Sequence, residues 1–224
     1  MSKAAPRAPR TDGEATRTKI LESAGTLFSA GGFAETTSKA VAAHAGVDLA
    51  SINYHFGSRN GLYQAVLVEA HRRLLDVVDL QKFAQSDLPG ADKLHVLFDY
   101  LVERAAGQGQ AWHVQVLARE VVAPSPHIHA LFQSELQPKL LAVKSILSDI
   151  TGLAVEDPVL TRCMLTTVAP CLMLLIGSRG IPGPVREVID TPRTVVVDHL
   201  HRFALAGLQA FAPRPVTRAN KRRG

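Results

Sequence analysis

At 224 residues, with 46% hydrophobic and 20% charged side chains, the chain has the composition of a water-soluble globule and the length to enclose a sizeable core. Its two cysteines, Cys163 and Cys171, stand in one apolar helical run where they cannot bridge each other, which excludes a disulfide or zinc framework and points to a reducing compartment. The net charge of +5 belongs to the ends: Lys3, Arg7 and Arg10 open the chain and Arg214, Arg218, Lys221, Arg222 and Arg223 close it, so the body between them is net negative. Residues 1–10 and 212–224 therefore read as solvated basic arms. The first ten residues carry no apolar signal region, and the strongly apolar stretch Val168–Ile176 is about half of the ~20 residues that span a bilayer. The expectation is a cytoplasmic protein without a membrane partner.

Thr11-Asp12-Gly13-Glu14 reads as a capping box for a helix running to about Ala30, with Ile20, Ala24, Leu27 and Phe28 on one face. Gly31-Gly32 stops it, and Phe33 follows as a plug for a small core. Two short helices come next, from about Ser38 to Ala45 and from about Leu49 to Phe56, joined by Gly46-Val47-Asp48. Gly46 suits the left-handed position that ends a helix, and Asp48 suits the cap that opens the next. Val41, Ala42 and Ala45 can meet Val47, Ile52 and Phe56 across an apolar seam. Ser51, Asn53, Tyr54 and His55 are left outside it as a hydrogen-bonding face, the arrangement a helix-turn-helix offers to the major groove.

Ser58 caps a long helix predicted from Arg59 to about Lys82. Further helices are predicted over Asp92–Ala106, Ala111–Val122 and His127–Ile150, the last kinked or split at Pro138. Gly107–Gln110 breaks the pattern between the first two. Asp157-Pro158 opens a helix to Gly177 that is apolar nearly all round, Gly180–Pro184 is a loop, and a last helix runs from Pro192 to Phe211. No stretch alternates as a strand, so the fold class is all-α. Residues 11–58 are expected to form a three-helix DNA-binding unit and residues 59–211 a second helical domain, which a family resemblance makes effector-binding and dimerising.

The residues Thr36-Thr37, Ala45-Gly46-Val47, the run Ser51-Ile52-Asn53-Tyr54-His55-Phe56-Gly57-Ser58-Arg59, then Leu62-Tyr63 and Val66-Leu67, resemble the DNA-binding domain of the TetR family of bacterial transcriptional regulators. The resemblance runs from about Arg17 to Val68 without a gap. It implies phosphate contacts from Tyr54 and His55, from the hydroxyls of Thr36 and Thr37, and from Arg59, which stands where the family usually has lysine. Lys39 can reach backbone or base, and base readout falls to Leu49, Ala50, Ser51 and Asn53. His44 reads as a partly exposed helix residue instead. The region Ala111–Gly152 is similar to the C-terminal domain of the CecR (also CerR) subgroup, through Arg119-Glu120, Ala123-Pro124-Ser125-Pro126 and Glu135 with Gln137-Pro138.

The family resemblance further implies a dimer on a palindromic operator, with recognition helices about 34–36 Å apart, released by an unknown small-molecule effector. The interface is expected on helices 158–177 and 192–211, with Gly177 and Gly207 permitting close approach. Phe98, Leu101, Trp112, His113, Val116, Glu120, Met164, Val168 and Met173 are candidates to line the effector pocket. Arg119 and Glu120 read as an internal ion pair, and the helix from Arg59 as the lever the effector tilts.

A zinc-type metal sensor is the alternative, suggested by nine histidines that include the pairs His127/His129 and His199/His201. Spacing of i, i+2 points such pairs to different faces of a helix, unlike i, i+4 ligands. No metal, cofactor or catalytic set is expected, since no nucleophile, phosphate-loop or metalloprotease motif occurs.

Overall fold

A computed structural model describes residues 11–106, 111–177 and 183–212. The basic arms, the Gly107–Gln110 break and most of the Gly180–Pro184 loop lie outside the described residues. Helices account for the regular structure of the described chain, and no strand occurs among them, so the all-α expectation holds.

The N-terminal part consists of α1 (Thr11–Glu35), α2 (Ser38–Ala45), α3 (Leu49–Phe56) and α4 (Arg59–Leu74). Helix α1 continues past the predicted stop, but its axis breaks at Gly32, whose φ of 75° and ψ of 176° no helix contains. Ile20, Ala24 and Phe28 on its inner face bury against Val41, Ala42 and Ala45 of α2, Ile52 of α3, and Leu62 and Val66 of α4. The predicted apolar seam is therefore the centre of this core.

The long helix predicted from Arg59 to Lys82 is two helices. Leu75 adopts an extended conformation, and α5 (Val77–Ala84) starts anew with Asp76 as its cap, Oδ1 accepting from the amides of Val78 and Asp79 at 2.9 and 3.3 Å. Apolar spacing carries on through the break, so only the capping carboxylate marks it.

Helices α6 (Gly90–Ala106), α7 (Trp112–Val122), α8 (His127–Leu131), α9 (Gln137–Thr151), α10 (Pro158–Gly177), α11 (Pro184–Ile189) and α12 (Arg193–Gln209) complete the chain. The predicted helix over 127–150 is divided by a π-helical turn at Phe132–Leu136, and Pro138 sits in the first turn of α9, where its missing N–H costs no hydrogen bond. The short helix α11 was not expected. Helix α12 begins after Pro192 and ends at Gln209, inside its predicted limits. A second core gathers Leu94, Phe98, Ile146, Leu147, Leu160 and Val197 from α6, α9, α10 and α12.

The packing does not divide at residue 58. Helix α7 lies across α1 and α4, and its Val116, with Leu131 of α8, belongs to the N-terminal core. His71, on the C-terminal half of α4, lies beside Lys139 of α9, whose Nζ donates to the His71 carbonyl oxygen at 2.9 Å. Burial first, and then the Lys139 ammonium, lowers the His71 pKa from 6.5 to about 4. The folded chain thus holds a neutral imidazole where the unfolded chain binds a proton, so stability falls as pH drops from 6.5 toward 4. The expected loss is about 2 kcal/mol, somewhat less than the full shift because the imidazole is incompletely shielded. Denaturant titrations across that window should show it, and His71→Gln should flatten the profile there. An unchanged slope in the variant would refute the assignment. Glu22 acts lower on the scale: burial opposes its charge, but hydrogen bonds from Arg73 and Trp112 hold its pKa below 4.5.

Candidate nucleic-acid interface and effector region

The turn between α2 and α3 follows from three side chains. Thr37 caps α2, its Oγ1 accepting from the Ala40 amide at 3.1 Å. Gly46 ends α2 at φ 60° and ψ 43°, a left-handed geometry open to glycine at little cost. Asp48 caps α3, taking the Ser51 amide at 2.7 Å and the Ser51 hydroxyl at 2.6 Å on one oxygen. Those bonds hold the Asp48 pKa below its ordinary value of 3.8.

Helix α3 turns Ile52 fully inward and leaves Leu49, Ala50, Asn53 and Tyr54 outward. Tyr54 is 85% exposed, with its ring edge-on to His55 at 4.9 Å. Lys39 and His44 of α2 are exposed as well, and His55 and Ser51 are half-buried. Asn53, Tyr54, Leu49, Ala50, Lys39 and Thr37 thus share the open side of the motif. Such a face offers hydroxyl, amide, ammonium and methyl groups, the set that reads phosphates and base edges.

Two residues predicted on this face belong elsewhere. Thr36 is buried and its hydroxyl donates to the carbonyls of Leu27 and Gly32 at 3.2 and 2.9 Å. The Arg59 guanidinium turns back to the carbonyl oxygens of Thr36 (2.7 Å), Ala34 (3.1 Å) and Phe33, and stacks over the Phe33 ring at 4.1 Å. Through Nε and one terminal nitrogen Arg59 fixes the loop between α1 and α2. Two basic residues of α1 not assigned to this face from the sequence lie beside the motif. Lys19 extends its ammonium beside Gly46, and Arg17 lies over the Phe56 ring at 5.1 Å. Both are exposed, and both fall off the Ile20–Ala24–Phe28 stripe of their helix, which is the signal that marks them.

Among the described residues the nine predicted pocket residues fall in several places. Trp112, Val116 and Glu120 form the junction between α7 and the N-terminal part. Trp112 lies flat on Gly25, where a Cβ would come under 3.0 Å from its ring, and its Nε1 donates to Glu22 at 2.8 Å. The Glu120 carboxylate accepts from the Tyr63 hydroxyl at 2.6 Å and from the Ser125 amide and hydroxyl at 3.0 Å each. Arg119 donates to the carbonyls of Ser29 (2.8 Å) and Ala30, so Arg119 and Glu120 take separate partners instead of pairing. His113 is half-buried beside Trp112, and burial lowers its pKa. Phe98 lines a groove between α10 and α12 with Cys163 and Phe203. Leu101, Met164 and Val168 pack on the second core, and Met173 is exposed.

A cleft of about 360 Å³ opens where α4 breaks into α5, facing α6. None of the nine residues lines it. Cys171, buried in α10, has its thiol pushed up to about 12 by burial, which leaves it inert at neutral pH.

The histidine pairs separate as their spacing predicts: His127 packs on the rings of Phe33 and Tyr63, while His199 stacks on Phe203 and His201 bonds to the Ala91 carbonyl. Among the described residues no three His, Cys, Asp or Glu side chains converge as metal ligands do. Helix α10, taken whole, is long and apolar enough to cross a membrane, with a mean hydropathy of 1.9. One face of it packs on α6, α7 and α9, and the other carries Leu165, 65% exposed, and Met173.

Comparison with known proteins places both halves. The family of bacterial regulatory proteins named for TetR matches residues 20–66, and the C-terminal domain of the HTH-type transcriptional dual regulator CecR matches residues 91–208. The HTH-type transcriptional regulator UidR of Escherichia coli K12 is 25% identical over 130 residues, a match spanning 56% of this chain and 61% of that protein. A TetR-like transcriptional regulator from Rhodococcus sp. RHA1 has the same fold, with a TM-score of 0.66 at 19% identity over 90% of this chain and 98% of its own. The regulator FadR from Bacillus subtilis, solved in complex with stearoyl-CoA, gives a TM-score of 0.63 at 12% identity over 85% and 98% of the two chains. The chain belongs to the TetR family of DNA-binding transcriptional regulators and carries the C-terminal domain of the CecR type.

Proposed function

We propose that this regulator is a cytoplasmic repressor that binds a palindromic operator as a homodimer and leaves it when a small molecule occupies the C-terminal half. The observation that carries the reading is the exposed face of α3. Tyr54, Asn53, Ala50 and Leu49 are exposed among the described residues and stand together at the mouth of a turn capped by Thr37 and Asp48. Tyr54 and His55, with the Thr37 hydroxyl and the ammonium groups of Lys19 and Lys39, serve the phosphates. Asn53, Ala50, Leu49 and Ser51 serve the bases. Residues 11–60 carry one more carboxylate than cations, so affinity depends on placed contacts and on doubling by a second protomer.

The dimer reading is supported by the outer faces of α10 and α12. Leu165, Met173, Val195 and Phe203 are exposed there, Phe203 to 75%, and Gly207 has open space around it. Gly177 serves a different contact: a Cβ there would meet Val185 of α11 under 3.0 Å, so it accommodates α11. The C-terminal domain 59–211 reaches the DNA face by α4 and by α7, which grips α1 through Trp112 and Arg119. The fold shared with FadR of Bacillus subtilis, which was captured with stearoyl-CoA, supports a small-molecule effector.

Fluorescence anisotropy on DNA from upstream of the gene tests the reading. Two protomers should bind each palindrome. Tyr54→Ala should weaken binding about threefold to tenfold on every sequence alike, while Lys39→Ala should lower the slope of log affinity against log salt by about 2, one for each protomer. Unchanged affinity and slope in both variants would remove this face from the DNA interface.

A further inference from the structure

The cleft at the α4–α5 break combines three properties of a small-molecule site. Its volume of about 360 Å³ lies in the range of ligand pockets. Its walls are mainly apolar, from Leu75, Phe83 and Val96, with the Tyr100 ring beside them. Its rim carries two carboxylates, Asp76 and Asp79. Asp76 uses one oxygen to cap α5, with Arg72 and Lys139 near enough to act on its charge, and Asp79, also on the rim, enters no ion pair among the described residues. Arg72 is the cation that lines the cleft, and Glu69 already holds its guanidinium through two bonds of 2.9 and 2.7 Å. Tyr100 already accepts a cation: the Arg104 guanidinium lies 3.4 Å from its ring centroid.

We propose that this cleft binds amphipathic organic cations, with the apolar body against Leu75, Phe83 and Val96 and the positive head between Asp76 and Asp79. An anion of the same shape would meet the two carboxylates, while Glu69 holds Arg72 and the Tyr100 ring holds Arg104. The position gives binding a consequence. Leu75 and Asp76 are the break itself, so a ligand holding Asp76 acts on the end of α4, whose other end begins at the recognition helix. That consequence rests on the effector reading above; the binding does not.

Calorimetric titration of the full-length protein with tetraphenylphosphonium and with tetraphenylborate, its near-isosteric anion, tests the site. The phosphonium should bind at least tenfold more tightly than the borate. Asp79→Asn, a change at an exposed position, should weaken the phosphonium about fivefold or more, and Asp79→Lys should abolish its binding with thermal stability retained. No binding, equal affinity for the two ions, or unchanged phosphonium affinity in both variants overturns the proposal. Operator anisotropy is read on the same samples. Phosphonium binding that is lost in Asp79→Lys but leaves operator affinity unchanged supports the site and overturns its role in release.

Discussion

Replacing Gly61 with alanine is expected to destabilise the protein by about 3 kcal/mol or more and to lower operator affinity at least tenfold. Gly61 is in the first turn of α4, directly under the end of α3, and a Cβ there would come under 3.0 Å from the Phe56 carbonyl oxygen. That oxygen cannot turn aside, because it already accepts the Ser58 amide at 2.8 Å in the turn that links the two helices. The neighbour is backbone, so relief requires the α3–α4 corner to open. Opening it draws Ile52 and Phe56 away from α2 and tilts Tyr54 and Asn53 with them. Denaturant unfolding and operator anisotropy measure the two effects, and Asn60→Ala, at an exposed position beside it, should change neither appreciably. A Gly61→Ala protein with native stability and affinity would show that the corner is looser than the geometry requires.

Gly61 illustrates what the sequence does and does not disclose. The helix-turn-helix is legible because its punctuation is chemical: Thr37, Gly46 and Asp48 each do locally what their side chains favour, and the caps form where those residues stand. The break of α4 is not legible, since Val77, Val78 and Leu80 continue the apolar spacing past Asp76. A carboxylate inside an amphipathic pattern reads as one more exposed residue until the packing of α5 on α9 makes it a cap.

The site residues divide along the same line. Asn53 and Tyr54 are read correctly as outward because Ile52 fixes the face of a short helix. Thr36 and Arg59 have side chains suited to a phosphate, but the same hydrogen-bond donors suit a backbone carbonyl, and a loop with open carbonyls lay closer. Trp112 and Glu120 read as pocket lining because an aromatic ring and a carboxylate are what pockets use. Their partners, Glu22, Gly25 and Tyr63, stand far away in the chain, a separation over which helical periodicity carries no information. Gly25 is the one trace: a glycine inside a helix costs ~1 kcal/mol relative to alanine, so it calls for a close neighbour.

The junction made by α7 carries the second large effect. Glu120→Ala is expected to cost roughly 3–4 kcal/mol, because it removes the acceptor of three hydrogen bonds in a buried place and leaves the Tyr63 hydroxyl and the Ser125 amide without it. Burial first, and then the neighbouring carboxylate, pushes the Tyr63 phenol well above its ordinary range, so it is a proton donor at neutral pH. Tyr63→Phe alone removes one bond and should cost about 1–2 kcal/mol, with Glu120→Gln between the two variants because its amide can still accept from Ser125. In a double-mutant cycle the Tyr63–Glu120 pair should couple by about 1–2 kcal/mol. A Glu120→Ala variant as stable as the parent, or a cycle with no coupling, would refute the junction. The bond joins α4 to α7, while Arg119 one residue earlier joins α7 to the end of α1 beside Gly32. Movement of α7 is therefore felt on both sides of the helix-turn-helix. Cutting the Glu120 bond should weaken the effect of any effector on operator affinity even where the DNA-facing residues are untouched.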